Sequence, residues 1–325
     1  MEHNAIFDIR TADDFLHHAL RIFKFQYTNN PVYKAFCSYL NTDPNAVQTL
    51  EQIPFLPIEF FKSKSVLSST DAAEITFTSS GTTGSETSKH HVTDLSLYEE
   101  SYLKAFNHFY GDIEDYCVLA LLPSYLERTG SSLIYMADDL IKKSKHPKSG
   151  FFLNEYEQLY KLLGELQKTD TKILIIGVSF ALLEFTEQYQ LDLKNAVVME
   201  TGGMKGRRKE IVRQELHELL SKGFGVPHIH SEYGMTELLS QAYSKGNGVF
   251  DCPSWMKILV RDTEDPLTYL KNGKSGGMNV IDLANINSCS FIATQDLGKI
   301  NHDGTFEIIG RFDNSDVRGC NLMVL

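Results

Sequence analysis

An alternation limits this chain more than any other feature. From Tyr116 to Gly234, short apolar runs take turns with longer amphipathic stretches. "YCVLALL" reads as a strand, "SSLIYMADDLIKK" as a helix, "FF" as a brief extended piece and "EYEQLYKLLGELQK" as a second helix, before "KILIIGV" returns to strand. The order continues with "ALLEFTEQY" as helix, "AVVMET" as strand, "RRKEIVRQELHELLSKG" as a helix closed by its glycine, and "VPHIHSEYG" as strand. Strands this apolar must be covered on both faces, and the intervening helices supply the cover. The pattern predicts an α/β fold with a mainly parallel, layered sheet and flanking helices.

The flanks read differently. The first 70 residues are helical in pattern, opening on a Thr11–Asp14 capping signal with Phe15, Ala19 and Ile22 on one face, until Pro54 and Pro57 interrupt them. Asp94 is placed to cap a helix carrying Leu97, Tyr98, Leu103 and Phe106. After residue 245 the helical period fades, and "WMKILVRD", "GMNVIDL", "CSFIATQ" and "TFEIIGR" follow one another between turn residues. That predicts two parts: an α/β core with a helical N-terminal segment over residues 1–245, and a smaller antiparallel β-rich subdomain over 246–325.

A formal charge of -11 over 325 residues gives the molecule a field that repels nucleic acid, so any anionic ligand must be held by local donors. The five cysteines are widely spaced and form no CxxC pair, which signals neither a disulfide framework nor a zinc site. His228 and His230 share a strand face, and His90 and His91 adjoin, but no third metal ligand accompanies either pair. The start "MEHNAIFDIR" has no secretory pattern, and runs such as "ILIIGV" are far short of the ~20 residues a membrane span needs. A cytoplasmic protein without a membrane span is expected.

"ITFTSSGTTGSETSK", residues 75–89, joins a strand to a loop of Ser, Thr and Gly ending in lysine. Backbone N–H groups and hydroxyls of Ser79, Ser80, Gly81, Thr82, Thr83 and Gly84 can converge on one anion, because glycine permits close approach, and Lys89 adds a point charge. A Walker A site is excluded, since "HHVT" after Lys89 reads as strand where a helix should begin. The "GKS" at Gly273 lacks the glycine five positions earlier.

Strand, hydroxyl-rich glycine loop and return strand resemble the ATP phosphate loop of the adenylate-forming superfamily. Four further segments resemble that family in the same order: "ETGGMKG" from Glu200, "YGMTE" from Tyr233, "TQDLG" from Thr294 and "GRFD" from Gly310. The resemblance implies that the loop and Lys89 hold departing pyrophosphate, that Glu237 holds Mg²⁺ and that Thr236 donates to the α-phosphate. It further implies that Gly202, Gly203, Tyr233 and Gly234 surround adenine or the acyl group, and that Asp296 and Arg311 meet the ribose. Such residues suit the chemistry, because a carboxylate attacking ATP brings two anions together.

"FTSSGTTGSETSK", "LPSYLERTGSSLIYM", "HSEYGMTE" and the ending "GRFDNSDVRGCNLMVL" are similar to the LuxE-type acyl-protein synthetases. The likeness implies an AMP-forming acid–thiol ligase using ATP and Mg²⁺ on a fatty acid. It also implies that the C-terminal lid domain, with its lysine and coenzyme A platform, is absent; Lys89, Lys205 and Lys299 are candidates to replace that lysine. The acyl group would pass to Cys320 and then to a reductase or carrier protein. Gly319 and Arg318 beside Cys320 suit a reactive thiol. Two other readings stay open, a lid-less acyl- or aryl-coenzyme A ligase and a non-catalytic nucleotide- or acyl-binding subunit. A homo-oligomer also stays open.

Overall fold

The computed structural model describes residues 3–79, 87–122, 130–202 and 211–312. Its N-terminal helices are α1 (Ala12–Asn29) and α2 (Pro31–Tyr39). Thr11 and Asp14 close the expected capping box on α1. A short strand β1 (Leu56–Pro57) and one helical turn α3 (Phe60–Ser63) lead to a hairpin of β2 (Ile75–Thr78) and β3 (Lys89–Val92). Asp94 then caps α4 (Leu95–Tyr110), accepting from the Ser96 N–H.

The alternating region folds as its pattern requires, into β4 (Tyr116–Leu121), α5 (Ser132–Lys143), β5 (Gly150–Phe151), α6 (Tyr156–Leu166) and β6 (Lys172–Val178). α7 (Ser179–Gln188), β7 (Ala196–Thr201), α8 (Arg213–Phe224) and β8 (His230–Tyr233) complete it. Two edges differ from expectation. α8 begins at Arg213, and it runs past Gly223 to end at Gly225, whose φ of 68° is the left-handed C-cap. Only His230–Tyr233 of "VPHIHSEYG" is strand, because Pro227 cannot donate to a ladder.

The β-rich remainder comprises β9 (Ala242–Ser244), β10 (Val249–Asp251), β11 (Met256–Arg261), β12 (Ser275–Asp282), β13 (Phe291–Ile300) and β14 (Phe306–Arg311). Among the described residues one sheet runs β11-β12-β13-β14-β10-β9-β8-β7-β6-β4-β5. Pairing is parallel from β5 to β8 and antiparallel from β8 to β11. The fold is α/β, with helices flanking the parallel half of the sheet and an antiparallel β-rich remainder, as the sequence pattern predicts.

The helical N-terminal segment seats on β12 and β13. Gln26, fully buried, donates to Asn285 O, Ile286 O and Ser290 Oγ at 2.9–3.1 Å and accepts from the Ser290 N–H. β1 extends this contact by pairing parallel to β13. Residues far apart in sequence therefore share one core.

Candidate active site

Open parallel sheets bind ligands beyond the carboxyl ends of their strands. Two of the five motifs, those beginning at Glu200 and Tyr233, have their described parts at or just past such ends, those of β7 and β8, while the glycine loop springs from the separate antiparallel hairpin. The neck of the glycine loop is closed by a pair of serines: the Ser79 N–H donates to Ser88 O at 3.1 Å, and the Ser88 N–H donates to Ser79 Oγ at 2.9 Å. Lys89 opens β3 with its side chain exposed. Ser80, Gly81, Thr82, Thr83 and Gly84 lie outside the described residues, as do Gly203, Lys205 and Cys320.

Gly202 follows β7 with φ 67°, and its carbonyl accepts from Ser179 Oγ at 2.7 Å. The same hydroxyl lies 3.1 Å from Glu200 Oε2, while Arg213 and His217 of α8 approach Glu200 Oε1 at 3.8 and 3.6 Å. Glu200 thereby ties the end of β7 to both α7 and α8.

Past β8, "GMTE" forms a turn rather than the start of a helix. At Gly234 a Cβ would stand 2.4 Å from Glu232 Oε1, so a larger residue there would displace the Glu232 carboxylate. Thr236 and Glu237 are held from below by one network. His90 Nδ1 lies 2.8 Å from Thr236 O, and Asn285 Nδ2 donates to Glu237 O at 2.8 Å. The Glu237 side chain is buried, which pushes its carboxyl above the ordinary range; the Ser88 hydroxyl and the charges of Arg311 and Lys62 oppose that push. Lys62, on α3, was not legible as a site residue, because nothing in its local pattern points to the turn after β8.

Tyr233, Asp296 and Arg311 come together as one unit. Tyr233 is buried and its hydroxyl donates to Asp296 Oδ2 at 2.8 Å, while Arg311 Nε approaches Asp296 Oδ1 at 3.3 Å. The β13–β14 register puts Asp296 opposite Arg311. Lys299, by contrast, is engaged with Glu307 at 3.1 Å.

The histidine pairs separate in role. His90 is buried, whereas His91 Nδ1 lies 2.9 Å from Thr76 Oγ1 on the hairpin. His230 meets the ring of Tyr110, and burial pulls its pKa down to about 4. Among the described residues no group of three His, Cys, Asp or Glu is placed to hold a metal. One buried carboxylate oxygen pair at Glu237 suits a magnesium ion that arrives on nucleotide phosphates, since Mg²⁺ commonly takes one or two carboxylates and fills its remaining positions with phosphate and water.

Comparisons with known proteins agree with the fold. ATP-bound MatB from Rhodopseudomonas palustris superposes with a TM-score of 0.57 at 18% identity, covering 75% of this chain and 49% of MatB. The 2-hydroxyisobutyryl-CoA ligase in its postadenylation state, in complex with R3-HIB-AMP, gives 0.69 at 10% identity, covering 93% of this chain and 68% of that one. This chain thus spans about half the length of the MatB structure. These likenesses define the class of fold, that of the adenylate-forming enzymes.

Residues 9–102 and 148–325 match the family described as acyl-protein synthetase, LuxE, and the chain belongs to that family. The long-chain-fatty-acid–luciferin-component ligase of Vibrio harveyi is 24% identical over 324 residues, covering 92% of this chain and 84% of the relative. Among the described residues no helix is long and apolar enough to cross a membrane.

Proposed function

We propose that this protein is an ATP- and Mg²⁺-dependent acyl-protein synthetase. The observation that carries the reading is the meeting of motif residues distant in sequence: His90, just past the glycine-loop neck of Ser79 and Ser88, against Thr236, and Tyr233 against Asp296, which Arg311 also approaches. In the first step a carboxylate oxygen of the acid attacks the α-phosphorus, the bond to the bridging oxygen of pyrophosphate breaks, and acyl-adenylate forms. Lys89 and the loop neutralise the departing pyrophosphate, Thr236 donates to the α-phosphate and Glu237 holds Mg²⁺. Asp296 and Arg311 hold the ribose, and Gly202, Gly203 and Gly234 let the nucleotide approach the backbone. The name of the Vibrio harveyi relative makes a long-chain fatty acid our choice of substrate.

In the second step the Cys320 thiolate attacks the acyl carbon, and AMP leaves with the electrons of the broken carbon–oxygen bond. Burial supports this choice by elimination among thiols. It pushes Cys37 up to about 12, Cys117 up to about 11, Cys289 up to about 12 and Cys252 further still, so none of these four is a thiolate at neutral pH. The acyl group then passes to a partner reductase or carrier protein.

The test is incubation with Mg-ATP and labelled fatty acid, then denaturation, hydroxylamine treatment and peptide mapping. Hydroxylamine-sensitive label on Cys320, absent from Cys320→Ser, is the expected result. Acid-dependent pyrophosphate exchange without protein-bound label would keep adenylation and move the acceptor off this chain. A Cys320→Ser protein making acyl-coenzyme A at full rate would replace the acyl-enzyme reading with coenzyme A ligation.

A further inference from the structure

Two alternate residues of the glycine loop's return segment hold two consecutive residues of the turn after β8. Ser88 and His90 are two apart on extended backbone, so their side chains leave the same face. Both are buried, at 3% and 1% exposure. His90 Nδ1 sits 2.8 Å from Thr236 O, and the Ser88 hydroxyl stands near the Glu237 carboxylate, where it opposes the upward push of burial. On the other side of its ring, His90 Nε2 lies 3.0 Å from Asn285 Oδ1. The Asn285 amide can stand only one way round. Its nitrogen donates to Glu237 O at 2.8 Å and Cys289 O at 2.9 Å, and turning it over would set oxygen against two carbonyl oxygens.

Both His90 nitrogens therefore face acceptors. A neutral ring, which burial favours by drawing the pKa down to about 4, carries one N–H and satisfies one acceptor at a time. Phe61 closes over the ring edge-on, with centroids 5.7 Å apart, so no water-filled space competes for it on that side. A side chain held this tightly fixes the distance between β3 and the turn.

We infer that His90 is a positioning residue for adenylation. With Ser88 and Asn285 it locks the strand returning from the glycine loop to Thr236 and Glu237, so the pyrophosphate-holding loop and the α-phosphate turn keep one spacing. This rests on the adenylation reading of the site. In-line attack depends on that spacing, and a misplacement of about 1 Å costs on the order of a hundredfold in rate.

The experiment is acid-dependent ATP–pyrophosphate exchange on the full chain, with hydrogen exchange of the 234–241 peptide read in parallel. His90→Phe keeps the aromatic contact with Phe61 but removes the ring N–H and the polar nitrogens. The expected result is a kcat lower by about a hundredfold with the KM for the acid within about twofold, and amide exchange over 234–241 faster by about tenfold. His90→Gln, which restores N–H donors, should recover most of the lost kcat. Should His90→Phe fail to fold, Ser88→Ala carries the same test, with an expected kcat loss of about tenfold. A folded His90→Phe with kcat within about twofold of the parent, or a loss that His90→Gln does not rescue, overturns the positioning role. If the parent protein shows no acid-dependent exchange, the adenylation reading falls on its own. The lock is then judged by the hydrogen exchange, and unchanged protection in His90→Phe overturns it.

Discussion

Glu232 brings a carboxylate into a partly buried place at the end of β8. Thr201 Oγ1 donates to its Oε2 at 2.5 Å, and its Oε1 occupies the space that a side chain at position 234 would need. Burial, joined by the nearby charge of Glu200, pushes its carboxyl up to about 7. The sign of the consequence follows from which state holds the proton. Between 4.5 and about 7 the unfolded chain has released it while the folded chain keeps it, so rising pH favours unfolding across that window. The stability contributed is complete below 4.5 and lost above about 7. Allowing for partial exposure, it is on the order of 2 kcal/mol. Urea denaturation at pH 5 and pH 8 should show that fall in the parent, and Glu232→Gln should flatten it. An unchanged slope in the variant would remove Glu232 as the cause. Single residues were unevenly legible at this scale. Asp296 and Arg311 stand in recognisable motifs, but that they face each other is set by the β13–β14 register, which is a property of two strands. Ser88, His90 and Asn285 gave no usable signal, because what unites them is a turn 146 residues away from His90.

At the scale of elements, apolar period and caps set the outcome, and the exceptions lie at helix ends. α8 shows why an end is hard to read. Gly223 and Gly225 both lie near it, and only backbone geometry distinguishes them. Gly223 stays helical, where a Cβ would stand 2.4 Å from the Thr186 Cβ. Gly225 takes the left-handed conformation, where a Cβ would meet Leu191 O at 2.4 Å and Asp192 Cα at 2.5 Å. Backbone cannot yield as a flexible side chain can, so Gly225→Ala should cost about 2–4 kcal/mol in urea denaturation. Gly164 gives the contrast. It lies inside α6 with nothing within 4 Å of its Cβ position, and Gly164→Ala should stabilise by about 0.5–1 kcal/mol. Equal effects of the two substitutions would mean that helix propensity, and not the cap, governs Gly225. The long strands were legible for the opposite reason: β6 is buried along all but its first residue, and a run this short and rich in Ile and Val has the length and composition of a strand.

For the whole molecule, the sequence suggests two parts, whereas the sheet passes through both. The division at residue 245 is a proposal, and it coincides roughly with the change from parallel to antiparallel pairing around β8 and β9. Whether it also separates two folding units is open to a direct test, because the chain has a single tryptophan in a telling place. Trp255 lies in the β-rich part, buried, and its indole N–H meets Ser101 Oγ of α4 and Ser240 Oγ of the turn region, each at 3.0 Å. Phe7 from the N-terminal segment packs on it edge-on at 4.9 Å. Gln26 and β1 add contacts between the same two parts. Among the described residues the helices lie before residue 245, so far-ultraviolet circular dichroism reports on one part while Trp255 fluorescence reports on its seam with the other. With Gln26 fully buried against β12–β13 and leaving its acceptors unpaired if the seam opened, the two parts should lose structure together. The expected outcome is coincident urea transitions by the two probes. A fluorescence midpoint clearly below the helical one would show the seam opening first and make residues 246–325 a separate unit, in which case the turn carrying Glu237 would lose the support of Asn285 before the helices unfold.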